Sequence, residues 1–516
     1  MTLMTASTRA VASPRSPLTR PVPVRLPPGW PLIALLALYP LWWALGLGIA
    51  IFPILAIPMA VALLRRRRVL VPPGFALWLL FLGVVLISLV ALEYDPPGTV
   101  PESALDRLPG ALLRLVEYLS LTVLLLYAGN LSERELPRRR LIGLLAWSFL
   151  ITVAGGVVGA LWPQLSFTAP VEALLPDRYA NNGFIQTLVH PSVAQMHQVL
   201  GYPTPRPAAP WGYTNLWGNN FLLLLPWFVV FCWRYTTRRW HRVAGCVVLA
   251  VSVVPVVVSL NRGLWLGLGV AAGYVTLRLA LRGQLLPVTM LATISATVVL
   301  LVVVTPLGEL VAERLAYGHS NDIRLYTTEQ AVRGLSHSPL IGFGSTRETL
   351  GSSSSIAIGP SPDCPNCGHH TIGSNGQVWL ELHAHGLLGA GLFLGFFGYL
   401  FWRHRGDHSP VGLAGSTVLL VNLLASAYYN TLLTPLAFTF LGYAVAWKAT
   451  TAPSAAAPPG PAPSAAAIRQ APLGAAPHAV GVPRAPLGAV SQAAAGGSPI
   501  PGARPGGRAE REGRLR

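Results

Sequence analysis

Arginine stands directly beside long apolar runs in several stretches of this sequence. The first stretch is SLNRGLWLGLGV, in which Arg262 has apolar residues on both sides and no acidic neighbour. A charge held at a membrane boundary is costly and points to function, although an arginine that merely contacts lipid phosphate explains this stretch equally well. Because guanidinium donors suit phosphate oxygens, we expect Arg262 to bind an anionic lipid-linked group, with Asn261 as a hydrogen-bond partner.

The second stretch is SNDIRLYTTEQAVRGLSHSPLIGFG, in which Ser320 or Asp322 is expected to cap a helix. Arg324 and Arg333 are nine residues apart, about two and a half turns, so they cannot hold one phosphate together from a straight helix. Arg333 can instead pair with Glu329 four residues away as a solvated surface pair. Arg324 is therefore the better ligand candidate, and Arg333 is kept as a candidate for substrate binding.

The third stretch, GSNGQVWLELHAHGLLGAGLFLGFF, places several polar groups just before an apolar run. His383 and His385 are two residues apart, so they point to different helix faces and cannot both line one site. Each alone is more often structural than catalytic. We take Asn375, Gln377 and His385 as candidate site residues.

The fourth stretch, PRPAAPWGYTNLWGNN, adds Arg206 and Asn215 as substrate-binding candidates just before another apolar run. Inside a further apolar run, Arg114 and Glu117 are three residues apart on one helix face. We expect those two to pair with each other. If Glu117 has a different partner, Arg114 becomes a further site candidate.

The composition determines which elements must position these residues. The chain has 516 residues, of which 52% are hydrophobic and only 11% are charged, and its mean hydropathy is +0.52. These values exclude an ordinary water-soluble enzyme. We predict an all-α fold, a polytopic transmembrane helical bundle of about twelve spans. The apolar segments are 31–48, 51–64, 75–93, 109–128, 141–162, 218–233, 243–260, 263–281, 286–305, 386–402, 411–429 and 433–447.

The net charge of +18 resembles a signal for nucleic-acid binding until its distribution is considered. Most Lys and Arg residues fall in short segments beside alternate spans, which favours membrane orientation over nucleic acid. With both termini in the cytoplasm of a bacterial-type plasma (inner) membrane, residues 1–30 form a basic arm and 31–448 the membrane domain. Residues 163–217 and 306–385 are then long extracytoplasmic loops, and the Ala/Pro/Gly-rich tail 449–516 is expected to be disordered.

Cysteine chemistry is expected to be minor. Cys364 and Cys367 lie in CPNCGHH on the predicted outer side, where a disulfide can form. With His369 and His370 they could also hold zinc, but four ligands this close in sequence leave little chain to surround a metal. A disulfide or a thiol pair is the simpler interpretation, and we predict neither a metal nor a cofactor.

Taken together, NRGLWLG, DIRLYTTEQAVRGLSHSPLIGFG and NGQVWLELHAHGLLG occur in an order that resembles the O-antigen ligase and polymerase family of polytopic glycosyltransferases. The resemblance covers about residues 205–400. It implies a helical membrane bundle with a large periplasmic loop, and a glycan on undecaprenyl pyrophosphate as donor substrate. It also implies that Arg262 and Arg324 bind the pyrophosphate. Asn375 stands where the family has a histidine.

The reaction implied by this resemblance is transfer of the glycan to an acceptor hydroxyl, without a metal. Because pyrophosphate is a good leaving group, stabilising its developing charge with arginine is the main requirement. The catalytic candidates are Arg262, Arg324 and Asn375. The general base is left open among His369, His370, Glu381, His383 and His385, and Asn375 alternatively only positions the acceptor, which is a lipid, a protein or a growing polysaccharide.

Two other functions fit the same sequence. One is a transporter or flippase of lipid-linked saccharides, for which twelve spans are also common. A carrier should place ionisable groups at the middle of the membrane, whereas the apolar segments here contain almost none apart from Arg114 and Glu117. The other is a scaffold whose outer loops bind polysaccharide enzymes.

Overall fold

The structure is a computed structural model that describes residues 27–176, 183–197, 199–316, 319–350 and 369–451. Cys364, Cys367, most of the predicted N-terminal arm and all but the first three residues of the predicted tail lie outside the described residues. Within them the chain is mostly helical, as the composition predicts. The described strands form one two-stranded antiparallel ribbon, in which Gln195 pairs with Arg206.

The elements follow one another along the chain with short connections. The helices are α1 (Trp30–Ala37), α2 (Tyr39–Ala44), α3 (Ile51–Leu64), α4 (Phe75–Ser88), α5 (Ala104–Asn130), α6 (Arg138–Leu161), α7 (Pro170–Ala173), α8 (Gly183–Val189), α9 (Thr214–Val230), α10 (Arg239–Val258), α11 (Arg262–Ala280), α12 (Leu285–Val303), α13 (Pro306–Ala316), α14 (His319–Gly334), α15 (Gln377–His404), α16 (Pro410–Ala425) and α17 (Thr434–Thr451), and the strands are β1 (Ala194–His197) and β2 (Thr204–Pro207).

Seven helices in the described part of the chain are long and apolar enough to cross a membrane. They are α5, α6, α9 with the π-helical turn Phe231–Tyr235 that extends it, α10, α11, α12 and α15. Three shorter apolar helices cover Ile51–Leu64, Phe75–Ala91 and Pro410–Ala425. The first predicted segment is broken into α1 and α2, whose junction lies at Leu38, just before Pro40.

Aromatic side chains from α4, α15 and α17 form the centre of the bundle. Trp78 is fully buried and its ring centroid lies 5.4 Å from that of Phe396 and 5.1 Å from that of Phe440. The indole N–H of Trp78 donates to Thr122 Oγ1 of α5 at 2.8 Å. The polar tip of the largest core side chain is therefore satisfied where there is no water.

The start of α15 corrects the sequence prediction. We expected the tenth span to begin near residue 386, but the helix begins at Gln377 and continues through Gly386, whose φ of 64° is left-handed. A Cβ on Gly386 would lie 2.4 Å from the backbone of Leu340, so glycine is required there. Gln377, Glu381, His383 and His385 consequently belong to a buried helix and not to the preceding loop.

The two segments predicted as long loops contain structure of their own. The first holds α7, α8 and the ribbon, and the second holds α13 and α14. Helix α14 begins at His319, so Ser320 and Asp322 lie within its first turn and neither is the cap. Helix α14 packs against α15, which brings the second and third candidate stretches together.

Candidate functional site

The turn between α10 and α11 orients two arginines through its backbone. Leu260 has a φ of 51°, a left-handed conformation that is strained for a residue with a branched side chain. The carbonyl of Ser259 accepts from Arg206 Nε at 2.6 Å, and the carbonyl of Leu260 accepts from Arg314 Nε at 3.1 Å. Two consecutive carbonyls thus hold two buried guanidinium groups on one side of this turn.

Asn261 and Gly263 fix the start of α11. The Asn261 side chain caps the helix by accepting from the amide of Leu264 at 3.2 Å, and its Nδ2 donates to Thr214 O at 3.4 Å. A Cβ on Gly263 would lie 2.5 Å from the ring of Tyr428 and from the hydroxyl of Tyr429. The Arg-Gly pair in the sequence therefore reflects close packing of α11 against these two tyrosines, and Asn261 has a structural role.

Helix α14 brings Arg324 to the same place as Arg262. Arg262 Nη2 donates to Asn321 Oδ1 of α14 at 2.7 Å, and Arg262 and Arg324 lie close enough for their charges to repel each other. Asn375 Nδ2 donates to Thr327 Oγ1 at 2.8 Å. Asn375 therefore ties the segment before α15 to α14, about one turn beyond Arg324.

Arg206, Arg262, Arg314 and Arg324 together form what we call the arginine site. Arg206 is 6% exposed, and its charge interacts with those of Arg314 and Arg324. Burial lowers the pKa of Arg206 to about 10, and the two neighbouring cations act in the same direction. Burial, Arg206 and Arg314 likewise lower the pKa of His197. The site therefore has a strongly positive potential.

No carboxylate in the described part of the chain pairs with Arg206 or Arg324. The Nε–Ser259 bond is the side-chain hydrogen bond of Arg206, and the side chain of Arg324 forms none with the described residues. Tyr428 and Tyr429 close the site from the segment between α16 and α17. Burial raises the pKa of Tyr428 to about 12, and Arg324 opposes the rise only partly, so the tyrosines remain neutral. Buried cations without counter-ions favour an anionic ligand.

Sequence reasoning missed Arg314, Tyr428 and Tyr429. Arg314 lies one residue after Glu313, which made it resemble half of a surface pair, yet Arg314 is 5% exposed and donates to backbone carbonyls. The tyrosines end an apolar run, where aromatic residues are common at membrane interfaces. That position was the signal that could have identified them.

Gln377 belongs to a buried hydrogen-bond network and does not lie at the arginine site. Its Nε2 donates to the Tyr118 hydroxyl at 2.9 Å and to Glu381 Oε1 at 2.5 Å, and its Oε1 accepts from the amides of Thr431 and Leu432. All its polar atoms are satisfied inside the protein. Gln377 thus links α15 to the segment that carries the two tyrosines, and the structure favours a structural role for it.

Three further substrate-binding candidates also lie away from the arginine site or on its outside. His385 is buried, with Nδ1 2.8 Å from Ser88 Oγ. Arg333 is exposed and donates to Glu329 at 2.7 Å, which is the surface pair expected from the spacing. Asn215 is exposed near the start of α9.

The expected pairing of Arg114 with Glu117 is wrong. Arg114 donates to Ser345 Oγ at 3.3 Å and to Thr346 Oγ1 at 2.9 Å, and these hydroxyls follow α14 in the chain. The spacing on α5 suggested a local pair, but partners distant in sequence took its place. Arg114 therefore connects α5 to the segment after α14.

The candidate bases are distributed over different places. Glu381 accepts from the Tyr118 hydroxyl, and its Oε2 lies 3.7 Å from His385 Nε2. His383 packs against Phe343, with ring centroids 4.9 Å apart, while His369 Nδ1 lies 3.6 Å from Glu348. The ring of His370 lies near that of Tyr326. None of these contacts joins a candidate base to the arginine site.

A metal centre finds no support among the described residues. No group of three or more His, Cys, Asp and Glu side chains there could hold a metal ion. Cys232 and Cys246 are free.

No protein-family model and no curated protein matches this chain. The arrangement of its own side chains therefore has to support any assignment of function.

Proposed function

We propose that this protein is a membrane glycosyltransferase that moves a glycan from undecaprenyl pyrophosphate to an acceptor hydroxyl, as an O-antigen ligase-like enzyme or a polysaccharide polymerase. The observation that carries the proposal is the meeting of Arg206, Arg262 and Arg324, two of which have no carboxylate partner among the described residues. A diphosphate supplies the negative charge that such a site lacks. Three sequence stretches that resemble one glycosyltransferase family supply the same residues.

In the proposed reaction, the acceptor oxygen attacks the anomeric carbon of the first sugar and the bond from that carbon to the diphosphate oxygen breaks. The diphosphate leaves with the electron pair, and the arginine site stabilises the charge that develops on it. Preorganised guanidinium groups in a water-poor site suit this role because they need no reorientation during the reaction. Asn375 has no basic atom, so we assign it the role of holding α14 in position.

We further propose twelve membrane crossings in the plasma membrane, with both termini in the cytoplasm and the arginine site on the outer side. The seven long apolar helices, the three shorter ones, α17 and the broken pair α1–α2 together supply twelve. Arg66 pairs with Glu135 at 2.7 Å, and Lys448 lies 3.9 Å from Glu133. The basic ends of α3 and α17 and the start of α6 therefore gather together, which agrees with a positively charged cytoplasmic side.

The decisive experiment is reconstitution of the purified chain with a fluorescent undecaprenyl-pyrophosphate glycan and candidate acceptors, with the products separated on a gel. A single added block indicates a ligase, and a ladder indicates a polymerase. No transfer to a lipid, protein or polysaccharide acceptor would remove the proposal.

The second candidate function is a carrier or flippase of lipid-linked saccharides. It is favoured by the buried ionisable groups Arg114, Glu117, Glu381, His383 and His385, which lie within long apolar helices. The sequence had indicated only the first two of them. A carrier moves the fluorescent lipid across liposome membranes without forming a product. Translocation without transfer would favour this function over the first.

A further inference from the structure

A cavity of about 680 Å³ lies beside α14, away from the arginine site. One wall consists of Tyr326, Gln330 and Arg333, which share one face of the helix at spacings of four and three residues. The opposite wall includes Pro96 and Pro97, from the segment before α5. The volume falls within the range of about 300–1,000 Å³ that is usual for small-ligand sites.

The deepest polar group of this cavity is His383. Its side chain is 1% exposed, yet neither ring nitrogen has a hydrogen-bond partner, and the residue lines the cavity. A buried polar group without a partner costs about 1–3 kcal/mol. A hydroxyl group that enters the cavity and reaches the imidazole would remove that cost, since one ring nitrogen can donate and the other can accept.

The charge of the cavity differs from that of the arginine site. Arg333 is the charged residue in its lining, and its guanidinium group donates to Glu329 at 2.7 Å. The remaining polar lining consists of neutral groups such as Gln330, Ser336 and His337. An anion gains little here, whereas a neutral ligand with many hydroxyl groups can form hydrogen bonds with these side chains and pack its apolar faces on Tyr326 and the prolines.

The position of the cavity relates it to the arginine site through α14. Arg324 and Tyr326 lie two residues apart and therefore project about 160° from each other around the helix. Gln330 and Arg333 lie about 9 Å and 14 Å beyond Arg324 along the helix axis. A ligand that reaches both places has to be a chain of several units.

We propose that this cavity binds a neutral oligosaccharide segment of the acceptor, several sugar units away from the hydroxyl that receives the new glycan. This inference rests on the proposed function, because it is the transferase that needs an acceptor. It restricts the acceptor to a molecule with a glycan chain and excludes a bare lipid or a protein hydroxyl.

The test is equilibrium binding to the purified full chain with no donor lipid present. The probe is a set of fluorescently labelled oligosaccharides, obtained by mild acid hydrolysis of the envelope polysaccharide of the source organism. We expect saturable binding that Tyr326→Ala and Gln330→Ala each weaken about tenfold, as loss of one buried contact or hydrogen bond does. The matched control is Leu325→Ala, because Leu325 is 70% exposed, adjoins Tyr326 and lies outside the cavity lining.

Absence of binding to the unmodified protein would overturn the inference, and so would binding that both cavity variants leave intact. An equal loss in Leu325→Ala would also overturn it, because the effect would then be general. Because the assay contains no donor, it separates the two proposals. Saccharide binding without transfer in the reconstituted assay would retain the cavity site and remove the transferase, whereas transfer without saccharide binding would do the reverse.

Discussion

Two groups of buried arginines occur in this protein, and they differ in how their charge is balanced. Arg107 and Arg347 are 4% and 2% exposed. Arg107 Nη2 donates to Asp95 and its Nε lies 3.4 Å from Glu102, while Arg347 donates to the carbonyls of Leu92, Tyr94 and Phe343. In the arginine site, by contrast, Arg206 and Arg324 have no carboxylate partner in the described part of the chain.

The difference separates arginine that stabilises structure from arginine that is ready for a ligand. Asp95 and the carbonyls bring the segment before α5 together with the segment after α14, so the charges of Arg107 and Arg347 serve the fold. Retaining buried cations without counter-ions lowers stability. Such a cost is expected where an anionic substrate supplies the missing charge during function.

The largest effect is expected on stability at the balanced pair. Replacing Arg347 with Met leaves three carbonyls without their donor and removes a cation near Asp95. We expect unfolding to become easier by about 3–5 kcal/mol, the usual cost of breaking a buried charged network. Thermal unfolding in detergent measures it. An unchanged midpoint would show that Arg347 does not stabilise this region.

The next effect is expected on transfer at the unbalanced site. Arg324→Gln should lower the transfer rate about 100-fold or more, the loss seen when one donor to a developing anion is removed, while thermal stability stays the same. Arg324→Lys keeps the charge but loses the fork of donors, so it should recover only part of the rate. Arg68→Gln is the control, since Arg68 is an exposed arginine in the segment after α3. Normal transfer by Arg324→Gln would remove Arg324 from the mechanism.

Gly263 tests whether the site depends on close packing at the start of α11. In Gly263→Ala the new methyl would meet the Tyr428 ring and the Tyr429 hydroxyl at 2.5 Å. We expect a loss of about 1–3 kcal/mol in stability, as for other overpacked positions, together with reduced transfer. Gly269→Ala is the matched control in the same helix, because nothing lies within 4 Å of its Cβ position. Equal behaviour of the two variants would contradict the packing argument.

These regions also show what the sequence could predict. Each of the twelve apolar segments contains at least one helix of the structure, because the burial of apolar side chains depends on composition that is visible locally. Arg262 and Arg324 were predicted because neither has an acidic partner at helical spacing, and because the stretches resemble one family. Arg314 was missed because Glu313 beside it suggested a local pair.

The failures share a physical cause, which is that the partners are distant in sequence. The stretch from Gln377 to His385 was predicted as a loop rim because it is polar. Its polar atoms are instead satisfied by Tyr118, by Ser88 and by the amides of Thr431 and Leu432, which allows a buried helix. Local spacing likewise predicted the wrong partner for Arg114.

The pH dependence of donor binding should separate Arg206 from its neighbours. Because burial lowers the pKa of Arg206 to about 10, its cation is present in full at neutral pH and is lost as the pH rises through about 10. Affinity for a diphosphate lipid should therefore be level at lower pH and fall above about pH 10. In Arg206→Gln the affinity should be weaker but should no longer fall in this range. A wild-type affinity that stays level to about pH 11 would show that Arg206 does not face the anion.

The smallest effect is expected at the exposed pair on the outside of α14. Arg333 and Glu329 are 67% and 53% exposed, so water screens their attraction. A double-mutant cycle with Arg333→Gln and Glu329→Gln should give a coupling of a few tenths of a kcal/mol in the free energy of unfolding. High salt should reduce it further. A coupling above about 1 kcal/mol would mean that Arg333 resembles the balanced arginines, and the contrast between paired and unpaired arginine would then no longer follow burial.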